Sequence, residues 1–149
     1  MTIEYDQLEA NAANFVPLTP LSFLHRTADI YPQRESLIYN QRRYTWAQTR
    51  NRCLRIASSL AARGIGKNDT VSVFAFNTPE MFESHFSVPM AGAVLNTINT
   101  RLDAATVGYI IDHGESRLFI CDRQLWPVLE QALQHCEQRP EIVIIDDAD

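Results

Sequence analysis

Between Thr70 and Ile145 the sequence repeatedly changes period, from apolar runs of strand length to amphipathic stretches of helix length and back. Strands are predicted over 71–76, 93–96, 117–121 and 142–145, with helices over 79–91, 104–113 and 124–137 between them. No two of these strands are joined by a hairpin-length turn, so neighbours must run parallel and each helix must carry the chain back in a right-handed crossover. The fold class is therefore read as α/β, a mainly parallel sheet flanked by helices. At 149 residues, 46% of them hydrophobic, the chain can bury one such core.

Ahead of that alternation the signals are local. Residues 1–18 show no firm periodicity and are expected to form an N-terminal arm, leaving 19–149 as the folded unit. Thr19 and Pro20 suit the cap and first position of a helix whose apolar stripe would be Phe23, Leu24, Thr27, Ala28 and Tyr31, ending before Pro32. Ser36 to Tyr39 and Arg42 to Tyr44 flank Asn40-Gln41 and predict a small N-terminal hairpin. Thr45 opens a second helix, with Trp46, Cys53, Leu54, Ala57, Leu60 and Ala61 on its apolar side and Arg52, Arg55, Ser59 and Arg63 opposite. A left-handed Gly64 closes it. Gly64-Ile65-Gly66-Lys67 reads as a cap and turn, because a phosphate loop leaves a strand and enters a helix and this run does the reverse. Pro89 should kink or end its helix.

Several function classes are disfavoured. A net charge of -5 with Lys and Arg scattered among carboxylates argues against nucleic acid. The acidic start MTIEYDQLEA is unlike a secretory signal, and no apolar run is long enough to span a membrane, so a cytoplasmic location is expected. Cys53, Cys121 and Cys136 are widely spaced and read as buried thiols; His25, His85, His113 and His135 make no metal-ligand spacing, and no metal site is predicted.

In a parallel sheet, ligands sit at the carboxyl ends of strands, where loops converge and helix N-termini offer free N–H groups. Three loops qualify: Asn77-Thr78, Thr97 to Asp103, and Asp122-Arg123. Asn77 or Thr78 could hold substrate or simply cap the helix that starts at Pro79, and Asp103 reads as the cap of the helix from Ala104. Asn96-Thr97-Ile98-Asn99-Thr100-Arg101 offers side-chain donors and one cation suited to a phosphate or amide-rich ligand, or else a turn stabilised by its own side chains. Arg123 is a phosphate partner or a solvated charge. Glu80, Glu83, Asp146, Asp147 and Asp149 read as solvated carboxylates, since acid-base work needs an enclosed setting that the sequence does not supply. No catalytic residue is assigned.

The run from Arg43 to Asp122 resembles the N-terminal region of adenylate-forming (AMP-binding) acyl-CoA synthetases, and the likeness extends from about Thr19 to Ile145. Arg43-Tyr44-Thr45-Trp46 is similar to an early family motif, and Met90-Ala91-Gly92-Ala93-Val94 with Asn99-Thr100-Arg101 to a second. The stretch HFSVPMAGAVLNTINTRLDAATV most resembles medium-chain-type synthetases and plant acyl-activating enzymes. The resemblance implies a ligase of fatty-acid or related metabolism, joining a carboxylic acid to ATP as an acyl adenylate and passing the acyl group to coenzyme A, with ATP, Mg2+ and CoA as cofactors. It also implies that Asn99, Thr100 and Arg101 lie near the pantetheine path and that Arg123 can meet the nucleotide end of coenzyme A. The family's phosphate loop, acyl pocket and C-terminal domain have no counterpart in this sequence, and the chain stops just past a buried-type strand. It is therefore expected to be an incomplete N-terminal subdomain, inactive alone. The alternative is a non-catalytic α/β binding or oligomerisation module that pairs through surface left uncovered.

Overall fold

The computed structural model describes Asn11, Ala13 and residues 15–146. Most of the expected arm lies outside these residues, as do Asp147 and Asp149. Helix α1 (Pro20–Ile30) begins as expected, with a reciprocal capping box between Thr19 and Ser22. Only Leu24 and Ala28 of its expected stripe are buried; Phe23 and Tyr31 stand exposed. Strands β1 (Glu35–Tyr39) and β2 (Arg42–Thr45) form the antiparallel hairpin. Asn40 turns it with φ 51°, a left-handed conformation that Asn tolerates better than most residues.

Helix α2 (Trp46–Ala62) starts on a second capping box, Thr45 with Gln48, and Gly64 leaves it at φ 73°. Its buried stripe is Thr49, Cys53, Ala57 and Leu60. Leu54 and Ala61 point outward, and Arg52 does not belong to a solvated side, as shown below.

The main sheet is built from β3 (Thr70–Phe74), β4 (Val94–Thr97), β5 (Ser116–Asp122) and β6 (Glu141–Ile145), all parallel, in the order β4-β3-β5-β6. Between them run α3 (Pro79–Met90), α4 (Ala104–His113), a short 3-10 turn (Arg123–Leu125) and α5 (Trp126–Ala132). The chain moves from β3 outward to β4 and then jumps back across β3 to β5. With one hand of crossover, that reversal puts α3 on one face and α4 and α5 on the other. Alternate strand residues serve the two faces: Val71, Val73 and Leu118 pack with Leu60 and Val88, whereas Phe74, Phe119 and Cys121 pack with Val107, Ile111 and Leu129. A polar rung crosses the sheet interior, Asn96 Nδ2 donating to Ser72 Oγ at 3.1 Å and Ser72 meeting Ser116 Oγ at 2.6 Å.

Pro89 ends its helix as expected, α3 stopping at Met90 one residue later. The strands differ from expectation by one or two residues at their ends, β3 covering Thr70–Phe74 where 71–76 is expected. The helix expected over 124–137 is shorter, because the amides of Glu137 and Gln138 donate to the Asp112 carboxylate at 3.0 and 2.8 Å and draw the chain off its helical path.

Candidate functional site

The carboxyl ends of β3 and β4 enclose a polar depression of about 480 Å³, and Asn77, Thr97, Asn99 and Thr100 line it together with Met81 and His85. Backbone bonds fix its floor: Ile98 N–H donates to Val73 O at 2.9 Å and Thr78 N–H to Phe76 O at 2.8 Å. Asn99 spends its side-chain oxygen on its own turn, accepting from Arg101 N–H at 3.0 Å, and its carbonyl accepts from Leu102 N–H. Thr100 remains available, and exposed Arg101 makes no ion pair among the described residues. His85 Nδ1 lies 2.9 Å from Met81 O, a contact in which Nδ1 must carry the proton because the carbonyl can only accept.

The four expected site residues are thus not brought into one pocket. Arg123 sits at the end of β5, on the far side of β3 from β4, about two strand spacings or roughly 10 Å away. There it forms a two-pronged pair with Asp146, Nε to Oδ1 at 2.6 Å and Nη2 to Oδ2 at 2.9 Å. Arg123 holds the Asp146 carboxyl below its usual range. Asp146 is a paired carboxylate and not merely a solvated one.

Capping divides the other loop residues. Asp103 caps α4, accepting from Thr106 N–H at 2.9 Å and from its hydroxyl at 2.9 Å. Thr78 occupies the N-cap position of α3 but makes no side-chain capping bond, and its buried hydroxyl has no partner. The simple capping alternative fails for Thr78.

The largest correction concerns the carboxylates of α3. Glu83 is 1% exposed and takes two hydrogen bonds from Arg52, one from Nε and one from Nη2 at 3.0 Å. Glu80 lies half-buried between Arg42 and Arg52, each 3.4 Å away, and the Arg52 guanidinium stacks 4.8 Å above the Tyr44 ring. Burial pushes the Glu83 carboxyl upward and Arg52 opposes it, while Glu83 in turn raises Arg52. The cluster locks α2, the hairpin and α3 together, and so fixes where the start of α3 meets the depression. A signal existed in the sequence: at helical spacing Glu83 falls between Pro79 and Ser87 on the stripe that α3 buries.

The thiols are poor nucleophiles. Burial pushes Cys53 and Cys121 up to about 12, and half-buried Cys136 is raised for the same reason. The residues present do not fit a magnesium site, since among the described residues no three His, Cys, Asp or Glu side chains stand together. Among the same residues no helix is long and apolar enough to cross a membrane.

Comparison with known proteins gives this geometry a setting. A peroxisomal butyrate–CoA ligase of Arabidopsis thaliana is 46% identical over 97% of this chain and 26% of its own length. A peroxisomal benzoate–CoA ligase from the same plant is 50% identical over 86% of this chain and 22% of its own. The chain thus spans about a quarter of the length of the curated relatives it matches. Among solved structures, a Mycobacterium tuberculosis fatty acyl CoA synthetase superposes with a TM-score of 0.76 at 27% identity, over 83% of this chain and 26% of that one. An anthranilate CoA ligase bound to anthranoyl-AMP shares the fold, with a TM-score of 0.80 at 22% identity over 84% of this chain and 24% of its own. The sequence pattern of the AMP-binding enzyme family matches residues 24–149, and the chain belongs to that family.

Proposed function

We propose that this chain is the N-terminal region of an ATP-dependent acyl-CoA synthetase, and that its polar depression forms part of the coenzyme A path. The observation that carries the reading is the placement of Asn99 and Thr100 in one depression at the ends of β3 and β4, followed directly by exposed Arg101, which makes no ion pair among the described residues. Thr100 offers a hydroxyl to the amides of a pantetheine arm, and Arg101 offers a cation to a phosphate. Arg123 would have to exchange Asp146 for the nucleotide end, which makes it the weaker member of the set.

The acid substrate stays open within the carboxylates, because relatives are named for acetate, butyrate, benzoate and cinnamate. Fatty-acid metabolism and a cytoplasmic location are narrower proposals; they rest on the likeness to medium-chain-type synthetases and on the polar N-terminal sequence, whereas several relatives are named peroxisomal. Mg2+ would be held by residues outside the described ones.

Titration with coenzyme A tests the path. Arg101→Ala should weaken binding about tenfold, the usual worth of one charge-assisted contact, and an unchanged affinity would remove Arg101 from the path. Pyrophosphate exchange with ATP and a panel of carboxylates should be absent from the 149-residue chain; activity would overturn its reading as inactive alone. A second reading, a homo-oligomer, draws on a groove of about 210 Å³ where Ile120, Val143 and Ile145 of the sheet stand half-covered beside Ile56. A monomeric mass in solution would refute it.

A further inference from the structure

Helix α1 is apolar on two sides. Its inner side seats Leu24 and Ala28, both 1% exposed, against the body of the chain. Phe23 and Ile30 stand on the outer side, where at the helical period they share an arc of about 60° with Arg26. A helix at a protein surface normally turns a polar side outward, so apolar residues in that position need cover. The patch runs past both ends of the helix: Phe15, Val16 and Leu18 lead into it and Tyr31 follows, and all six of these large side chains are at least half exposed. Leu18 and Phe23 occupy the two positions that neighbour one another across a helix start, which joins the leading segment to the outer side. The other exposed large apolar side chains among the described residues are spread singly over β1, α2, the loop after β3, β4 and α4.

Charge identifies the cover. Arg26 and Arg34 are exposed and make no ion pair among the described residues, and Arg34 lies over the Tyr31 ring at 5.3 Å. Asp29, the one carboxylate of α1, is taken up by Arg50. Over residues 15–50 five arginines stand against two carboxylates, in a chain whose net charge is -5. A second copy applied to the same patch would bring the two sets of cations together. None of the six apolar side chains lines the polar depression, the groove beside β6, or the apolar cleft between β1 and the start of α3, so the patch offers no socket there. A broad apolar surface edged with free cations suits a flat, negatively charged layer that is apolar beneath.

We propose that the outer side of α1, with Phe15 to Leu18, rests on an anionic phospholipid bilayer, Phe23 and Ile30 entering the acyl boundary while Arg26 and Arg34 meet headgroup phosphates. The contact lies in the plane of the interface and is not a span. It rests neither on the coenzyme A path nor on the ligase reading.

Sedimentation of the chain with vesicles of equal parts phosphatidylglycerol and phosphatidylcholine, and with phosphatidylcholine alone, tests the proposal. Anionic vesicles should carry the chain down at low salt and less as salt rises, and neutral vesicles should carry far less. Arg26→Gln and Arg34→Gln should each weaken anionic binding about fivefold at low salt, the worth of one cation near such a surface. Phe23→Ser and Ile30→Ser, at positions 52% and 54% exposed and so tolerant of change, should each weaken it about fivefold, while Tyr109→Ser on α4 should not. No sedimentation with anionic vesicles, equal sedimentation with neutral ones, or an equal loss from Tyr109→Ser would overturn it. A dimeric mass abolished by Phe23→Ser would give the patch to a second copy, and vesicle binding that appears only in a Glu4→Gln/Asp6→Asn/Glu9→Gln variant would give it to that acidic segment; either result overturns it.

Discussion

Replacing Arg52 with Met keeps the aliphatic stem against α3 and deletes the guanidinium, leaving a Glu83 side chain that is 2% exposed without its two hydrogen bonds. Removing one partner of a buried pair generally costs about 3–5 kcal/mol. Protonation sets an upper limit on the electrostatic part: neutralising a carboxyl with an ordinary pKa near 4.3 takes about 1.36 kcal/mol per pH unit, roughly 4 kcal/mol at pH 7 and about 1 kcal/mol at pH 5. Loss of the Arg52–Tyr44 stack adds about 1 kcal/mol at either pH. Arg52→Met should therefore lower unfolding free energy by about 4–5 kcal/mol at pH 7 but only about 2 kcal/mol at pH 5. The sign follows from linkage: a folded-state carboxyl raised above its unfolded value binds protons more readily in the folded state, so stability falls as pH rises from the unfolded value towards the raised one. Urea denaturation followed by circular dichroism at the two pH values measures both numbers. An Arg52→Met/Glu83→Leu double variant should recover most of the loss, because the stranded charge is gone. A loss below about 1 kcal/mol at pH 7, or the same loss at both pH values, would mean that water reaches Glu83 and that the pair is only a surface contact.

Thr78→Val should raise stability by about 1 kcal/mol in thermal melts, where loss of an ordinary N-cap would lower it by a similar amount, because the Thr78 hydroxyl is buried without a partner. Gly108→Ala should destabilise by about 1–3 kcal/mol, since the added Cβ would stand 3.0 Å from the Ala132 carbonyl oxygen where α4 and α5 meet; an unchanged melt would show that the helices separate freely. Acid should erode the fold through Asp69, Asp103 and Asp146, held below the usual carboxylate range by Arg117, Thr106 and Arg123 respectively. Their contribution is full above about pH 3.9 and is lost as pH falls through the lowered folded values, so the triple Asn variant should show a flatter acid limb in melts between about pH 2 and 5.

What could be read from the sequence was what local physics decides. Thr19, Thr45 and Asp103 cap helices wherever they stand before an apolar period, and each does so in the structure. The parallel sheet followed from alternation alone, but its order did not: nothing in the period of β4 or β5 says on which side of β3 each lies. The early end of α5 was equally hidden, because the Asp112 carboxylate that captures the Glu137 and Gln138 amides belongs to a different helix. At the candidate site the sequence located the Asn99–Arg101 loop; the structure separates it from Arg123, whose partner Asp146 lies on the neighbouring strand's end.

The charged cluster shows why side-chain polarity misled. An amphipathic reading assigns Arg52 and Glu83 to solvent because each is charged, yet burial is decided by which helix faces meet, and α2 and α3 meet on the faces that carry them. Once they are placed there, only the pairing keeps the charges tolerable, and that pairing constrains both helices more tightly than apolar contacts would, since its hydrogen bonds are directional. The constraint reaches the N-terminal end of α3. Glu83 lies just over one turn from Thr78, so the geometry that satisfies Arg52 also sets the N-terminus of α3 between the polar depression and the apolar cleft. The Thr78 hydroxyl is left unbonded at that same end, so the buried pair at one point of the helix and the unsatisfied donor at the other are parts of one placement.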